Sequence, residues 1–194
     1  MESRARHRPH RGAATRSRIR KAAMGLLREH GPGVTVSAIS EAAEVYPNQI
    51  THHFGSKDAL VIEASFNLLL LDTERIQSAG RHMRTPESFR AAIARTAMHV
   101  PSMPHVVAAL AIAQDNPPAQ PTLRTLIDLL FRQSERYLER IMSERGWVSE
   151  QGVARDVRTF WSAIFGAVLV HRAGVPGGPS DIDLASTLTV RRAD

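Results

Sequence analysis

Apolar residues recur at intervals of three and four along most of this chain, the spacing of one helix face. Period-two alternation bounded by hairpin turns is absent, so the pattern predicts an all-α protein without strands. A first helix is predicted over residues 15–30, with Ile19, Ala22, Ala23, Leu26 and Leu27 as its stripe and Gly31-Pro32-Gly33 as its stop. A short second helix follows over 36–43, with Thr35 as N-cap and Ile39, Ala42 and Ala43 facing inward. A third opens at Pro47, a residue suited to a first turn, and ends near Phe54-Gly55. Ser56 then caps a long helix running to residue 79. Further helices are predicted over 86–100, 104–115, 122–145 and 150–173, with the proline-rich segment 116–121 as a rigid connector. A last short helix, capped by Ser180, is predicted to run to residue 189 after a loop at 174–179.

Composition narrows the class. With 194 residues and 43% hydrophobic content the chain can bury a core and fold. It has no cysteine, which excludes disulfides and thiolate chemistry and fits a cytoplasmic location. No apolar run reaches the ~18 residues of a membrane span, and the arginines at the start are not followed by the apolar core of a secretory signal.

Charge is distributed unevenly. Residues 1–21 carry eight basic groups against Glu2 alone, which puts that end at +7 in a chain of net charge +6. The rest therefore comes to −1, and the excess sits where a phosphate backbone would find it. Residues 1–14, with little to bury, are expected to form a disordered basic arm.

The second and third helices are separated by only a few residues, the spacing of a helix-turn-helix whose second helix enters the major groove of DNA. Its outward residues are Asn48, Gln49, Thr51 and His52, short polar groups able to reach base edges, and it carries no acidic side chain. Here the stretch TVSAISEAAEVYPNQITHHFGSKDAL, with its H-F-x-S-K-D-x-L run from His53 to Leu60, resembles the TetR family of bacterial transcriptional regulators. The resemblance is strong over residues 15–60 and holds beyond them in layout only. It implies a helix-turn-helix DNA-binding domain over 15–57 and a helical ligand-binding and dimerisation domain over 58–194. The DNA-facing set expected is Thr35, Ser37, Tyr46, Pro47, Asn48, Gln49, Thr51, His52, His53 and Lys57. His53 matches the family histidine at the end of the recognition helix, and Lys57 opens the next helix, whose N-terminus also favours phosphate.

Two positions depart from that pattern. Glu44 stands where the family turn has glycine, and holding it at positive φ costs on the order of 1 kcal/mol. Tyr46 stands where a capping serine is usual.

Other candidate chemistry is weaker. Adjacent helical residues point about 100° apart, so His52 and His53 are not expected to share a metal ion. Met98, His99, Met103 and His105 could hold a soft metal, but their spacing fits no strong metal motif and a pocket lining is the simpler reading. No catalytic motif is recognisable, so neither an enzyme nor a bound cofactor is expected. What the resemblance adds is a small-molecule cavity, with Met98, Met103, Phe131 and Trp161 as candidates. It also adds a homodimer built on the last long helices, with Val157, Phe160, Ile164, Phe165 and Val168 at the interface. The reading that follows is a repressor released from a double-stranded DNA operator by a small-molecule effector. A general DNA-binding protein without an effector is the alternative, and an enzyme or carrier with three short leading helices is a more distant one.

Overall fold

A computed structural model describes residues 8–175 and 182–193. The chain forms helices α1 (Arg8–His30), α2 (Val36–Ala42), α3 (Asn48–Phe54), α4 (Lys57–Arg81), α5 (Pro86–His99), α6 (Met103–Gln114), α7 (Gln120–Arg145) and α8 (Val153–Arg172). Two short strands, β1 (Trp147–Ser149) and β2 (Val190–Arg192), and short 3-10 turns accompany them.

The long helices lie where the pattern predicts them, and their ends follow local chemistry. Thr35 caps α2 by accepting from the Ala38 N–H at 3.1 Å, and Ser56 caps α4 by accepting from the Ala59 N–H at 3.0 Å. Thr85 and Ser88 form a reciprocal capping box at the start of α5. Gly146 closes α7 in the left-handed conformation, its N–H bonded to the Met142 carbonyl, and turns the chain into β1.

Several boundaries, and one whole element, differ from expectation. Helix α1 starts at Arg8, so residues 8–14 of the expected arm are helical, while residues 1–7 of it lie outside the described residues. Alanine and arginine in that segment are good helix formers, and extending an existing helix needs no new nucleus. Helix α7 takes in Gln120 and Pro121, because a proline in the first turn gives up no bond. Helix α8 starts at Val153, after Gly152 at φ +87°.

The element that differs is the strand pair. Of the predicted helix over 180–189, residues 180–181 lie outside the described ones, and the remainder is a single 3-10 turn (Ala185–Thr187) leading into β2. Strand β2 pairs antiparallel with β1 in the register Trp147↔Arg192, Val148↔Arg191, Ser149↔Val190. The segment is short and rich in β-branched residues, which favours extended backbone. Its tie is Asp156, 1% exposed, which accepts from the Thr189 N–H at 2.9 Å, the Thr189 hydroxyl at 2.9 Å and the Ser149 hydroxyl at 2.8 Å.

Two hydrophobic cores result, and α4 belongs to both. Ile19, Ala23 and Leu27 of α1, Ile39 of α2, and Ile50 and Phe54 of α3 close on Leu60, Val61, Ala64 and Leu68 of α4. Ile62, Phe66, Leu69 and Ile76 of the same helix enter the larger core formed by α5 to α8. The first core thus extends past residue 57. A helix apolar on nearly all sides is one that is packed on all sides.

Candidate nucleic-acid interface and effector cavity

Helices α2 and α3 are held from beneath. Ile39, Ala43, Ile50 and Phe54 are buried, so the other faces of both helices must point outward. The turn between them is closed by the Val45 N–H bonding to the Ser40 carbonyl at 3.0 Å. Glu44 takes φ +52° there, alone among the described non-glycine residues in positive φ. Helix α3 has no side-chain cap: Pro47 stands at its N-cap position, and its first turn is closed by backbone bonds to the Tyr46 and Pro47 carbonyls. Both local departures noted in the sequence therefore have the expected structural form.

Thr35, Ser37, Pro47, Asn48, Thr51 and His52 are exposed, and Tyr46 is 81% exposed. Gln49, His53 and Lys57 are half-buried. Asn48, Gln49, Thr51, His52 and His53 share the two turns of α3, which carries no carboxylate. The His52 and His53 rings meet edge to face, 4.9 Å between centroids. Burial, then His52, then the Arg16 guanidinium hold the His53 pKa below its usual value, so the ring is neutral near pH 7.

One residue that sequence reasoning passed over positions this surface. Arg16 of α1 stacks on the Phe54 ring, 4.1 Å from its centroid, donates to the His53 carbonyl and pairs with Glu63 of α4. Arg20, one turn on, meets the same carboxylate at 3.3 Å. Arg16 thus pins the end of α3 to α1 and α4 together. The signal for it was Glu63, a single acid inside the apolar run LVIEASF, which needs a partner if that run is buried.

A second feature lies in the larger core. A cavity of about 40 Å³ opens between α4, α5, α7 and α8, walled by Ile76, Ile93, Tyr137, Leu138, Phe160, Trp161 and Leu188 among others. Its polar groups are largely spoken for. The Trp161 indole N–H donates to the Ser134 hydroxyl at 2.9 Å, and the Tyr137 hydroxyl donates to the Gln77 carbonyl at 2.9 Å. Burial pushes the Tyr137 pKa up to about 12, which keeps the phenol a donor.

Of the four residues expected to line a pocket, Trp161 lines this cavity and the other three do not. Met103, 1% exposed at the start of α6, belongs to the packed core. Met98 lies more than a turn beyond Ile93, where α5 meets the cavity, and Phe131 packs under the Arg158 guanidinium at 5.3 Å. Val157, Phe160, Ile164 and Val168, expected at a dimer interface, are at most 5% exposed and face their own subunit's core, and Val157 and Phe160 line the cavity. Phe165 is half-buried, and the outward face of α8 carries Ser162, Gly166, Leu169, Val170 and Ala173 instead. The stripe on α8 is wide because two of its sides are packed within the subunit, a distinction that periodicity alone does not make.

Residues 19–64 match the family model for bacterial regulatory proteins of the tetR family, and residues 86–189 match that for the bacterial transcriptional repressor C-terminal domain. The chain belongs to the tetR family. Among curated relatives, this tetR-family protein is 33% identical over 91 residues to the HTH-type transcriptional regulatory protein RaaS of Mycobacterium tuberculosis, 47% of this chain and 42% of that one. The match thus spans less than half of the relative's length. A candidate transcriptional regulator from Rhodococcus sp. RHA1 superimposes with a TM-score of 0.70 at 26% identity, covering 88% of this chain and 91% of the other. Thermus thermophilus FadR, a TetR-family transcriptional repressor solved in complex with lauroyl-CoA, shares the fold with a TM-score of 0.58 at 23% identity, over 89% and 88% of the two chains. Among the described residues no single helix is long and apolar enough to cross a membrane, and no group of three or more His, Asp or Glu side chains could hold a metal ion.

Proposed function

We propose that this tetR-family protein is a homodimeric transcriptional repressor that reads operator DNA with α3 and is released by a small, mainly apolar effector. The observation that carries the reading is the outward face of α3. Asn48, Thr51 and His52 stand exposed, with Gln49 beside them, on a helix anchored by Ile50, Phe54 and the Arg16 clamp. Short amides and hydroxyls on a rigid helix suit base edges, while Lys57 and the cationic α1 suit phosphate.

The effector is assigned to the apolar cavity, whose size sets how it must enter. At about 40 Å³ it is far below the ~300 Å³ or more that a drug-sized ligand fills. An effector must therefore separate α4, α5, α7 and α8 as it enters, and it binds the opened state better than the closed one. That difference in affinity is what permits a ligand to shift an equilibrium. FadR was solved with lauroyl-CoA, which joins an apolar acyl chain to a charged CoA; the lining here suits the apolar kind of group, a chain or a ring. The second copy is placed on the outward face of α8, where Leu169 is 54% and Val170 44% exposed beside Gly166 and Ala173. The chain's role is recognition, with no reaction assigned to it.

Selection of bound duplexes from a random pool tests the reading. It should return a two-fold-related site with half-sites one helical turn apart. Gln49→Ala and Thr51→Ala should each cost roughly 1–3 kcal/mol on that site and relax preference at particular bases, leaving non-specific affinity nearly unchanged. Equal affinity for all duplexes would instead identify a general DNA-binding protein.

A further inference from the structure

On the other side of α4 lies a larger and more polar cavity, about 410 Å³, where the end of α1 meets the start of α6. Arg28 of α1, Asp72 and Arg75 of α4, and Pro101, Ser102 and His105 line it. Ser102 occupies the N-cap position of α6, where a serine hydroxyl ordinarily closes the first turn. It does not do so here. The Ser102 backbone is helical and makes no side-chain cap, while its N–H donates to the Asp72 carboxylate at 3.0 Å.

Its hydroxyl is therefore left over. Ser102 is 2% exposed, and its Oγ has no hydrogen-bond partner. The Nδ1 of His105, one turn on, is buried and unpartnered as well. Unpaired buried polar atoms are uncommon because each forfeits its hydration without replacement. Both belong to residues that line the cavity, where an occupant supplies the missing partner once the side chain turns toward it. Burial and then Arg172 keep the His105 pKa below its usual value. The guanidinium groups of Arg28 and Arg75 stand at the rim, both exposed, against the single Asp72 carboxylate. That carboxylate already accepts from Ser102 and lies 3.9 Å from Arg75. The combination of two outer cations and two inner neutral polar groups suits a small solute with several oxygen acceptors.

We propose that this cavity is a second ligand site, which binds a small carboxylate- or phosphate-bearing solute between Arg28, Arg75, Ser102 and His105 and so joins the DNA-binding helices to the bundle. The charged end of the solute meets the arginines, and a second oxygen reaches the Ser102 hydroxyl and His105 Nδ1. One such molecule touches α1, α4 and α6 at once. It changes operator affinity by whatever factor the operator changes its own affinity.

The experiment uses the full chain, with inorganic phosphate in one arm and citrate in the other, ionic strength being held constant with sodium chloride. The His105 ring resonance, identified by its loss in His105→Gln, is followed by NMR alongside the thermal midpoint. The expected result is a saturable shift of that resonance with one of the probes, which names the class. A midpoint rise of about 5 °C or more should accompany it at a hundredfold excess over Kd. Arg75→Gln should weaken binding about tenfold or more, and Ser102→Ala by a smaller factor, since that hydroxyl has no other partner to lose. A flat response to both probes would mean that the cavity holds water only, and the proposal fails. It also fails if Arg75→Gln binds as the wild type does, because the anion then sits elsewhere, for instance among Arg81, Arg84, Arg145 and Arg192 at the far end of α4. Operator affinity is then measured with the probe that binds. A change that disappears in Arg75→Gln supports the joint between α1 and α6, and no change refutes it. These readouts do not depend on the apolar effector.

Discussion

Replacing Arg16 with alanine removes three interactions that meet at the end of α3. The stacking contact at 4.1 Å from the Phe54 centroid contributes about 0.5–1 kcal/mol at a partly exposed site. The bond to the His53 carbonyl contributes about 1 kcal/mol. The Arg16 side chain is 40% exposed and that of Glu63 12%, so solvent screening holds their ion pair to about 1 kcal/mol. Arg20 stays on Glu63 at 3.3 Å, so the carboxylate is not orphaned and the larger penalty of an unpaired buried charge is avoided. The expected loss is about 2–3 kcal/mol in urea unfolding, a large fraction of the stability of an ordinary domain. Amide exchange at the end of α3 should accelerate under conditions where the rest of the chain stays protected. A double-mutant cycle with Glu63→Gln should return a coupling of about 1 kcal/mol. A loss below about 0.5 kcal/mol, within the range of ordinary surface substitutions, would refute the assignment of Arg16 as the clamp.

Other perturbations follow from the same geometry. Glu44→Gly should stabilise the protein by about 0.5–1 kcal/mol in urea unfolding, the relief at φ +52° being partly offset by the freer unfolded chain. Val168→Arg should prevent folding, since Val168 is 5% exposed in the core, whereas Leu169→Arg should stay folded and sediment as a monomer. A folded Val168→Arg protein would contradict the packing of α8. His53 and His105 both have native pKa values below 6.5, so the unfolded chain takes up more protons in acid. Stability should therefore fall as pH drops below about 6.5, and the fall measured by urea unfolding should be shallower in His105→Gln.

The helical elements were legible because each carries a stripe at the helix period and most end at a cap or a glycine. The α3 surface was legible for a related reason: Ile50 and Phe54 anchor the inner face, and only short polar residues are left outside. Strand β2 was not. Its two neighbours, β1 and Asp156, lie some 35–45 residues earlier, and no local pattern in LTVRR announces a pairing partner at that distance. Three of the four residues expected in a pocket lie outside the apolar cavity for a similar reason. Met98, Met103 and Phe131 are of the right type, but which part of a helix's inner face borders a void depends on how the helices cross. Likewise the apolar stripe on α8 marks burial without saying in which subunit, and only the exposure of Leu169 and Val170 beside the burial of Val168 separates the two faces.

Helix α4 runs without interruption from Lys57 to Arg81, one end beside the recognition helix and the other beside the apolar cavity. At 1.5 Å per residue the distance from Gln77 back to Lys57 is about 30 Å. An uninterrupted helix of that length is a lever. Tilting it by ~5° about the cavity end carries the other end through about 3 Å, a large error on the proposed reading, in which α3 meets base edges at hydrogen-bond range. A small opening of the bundle is thus magnified rather than absorbed, because the helix has no joint along its length at which the motion could dissipate.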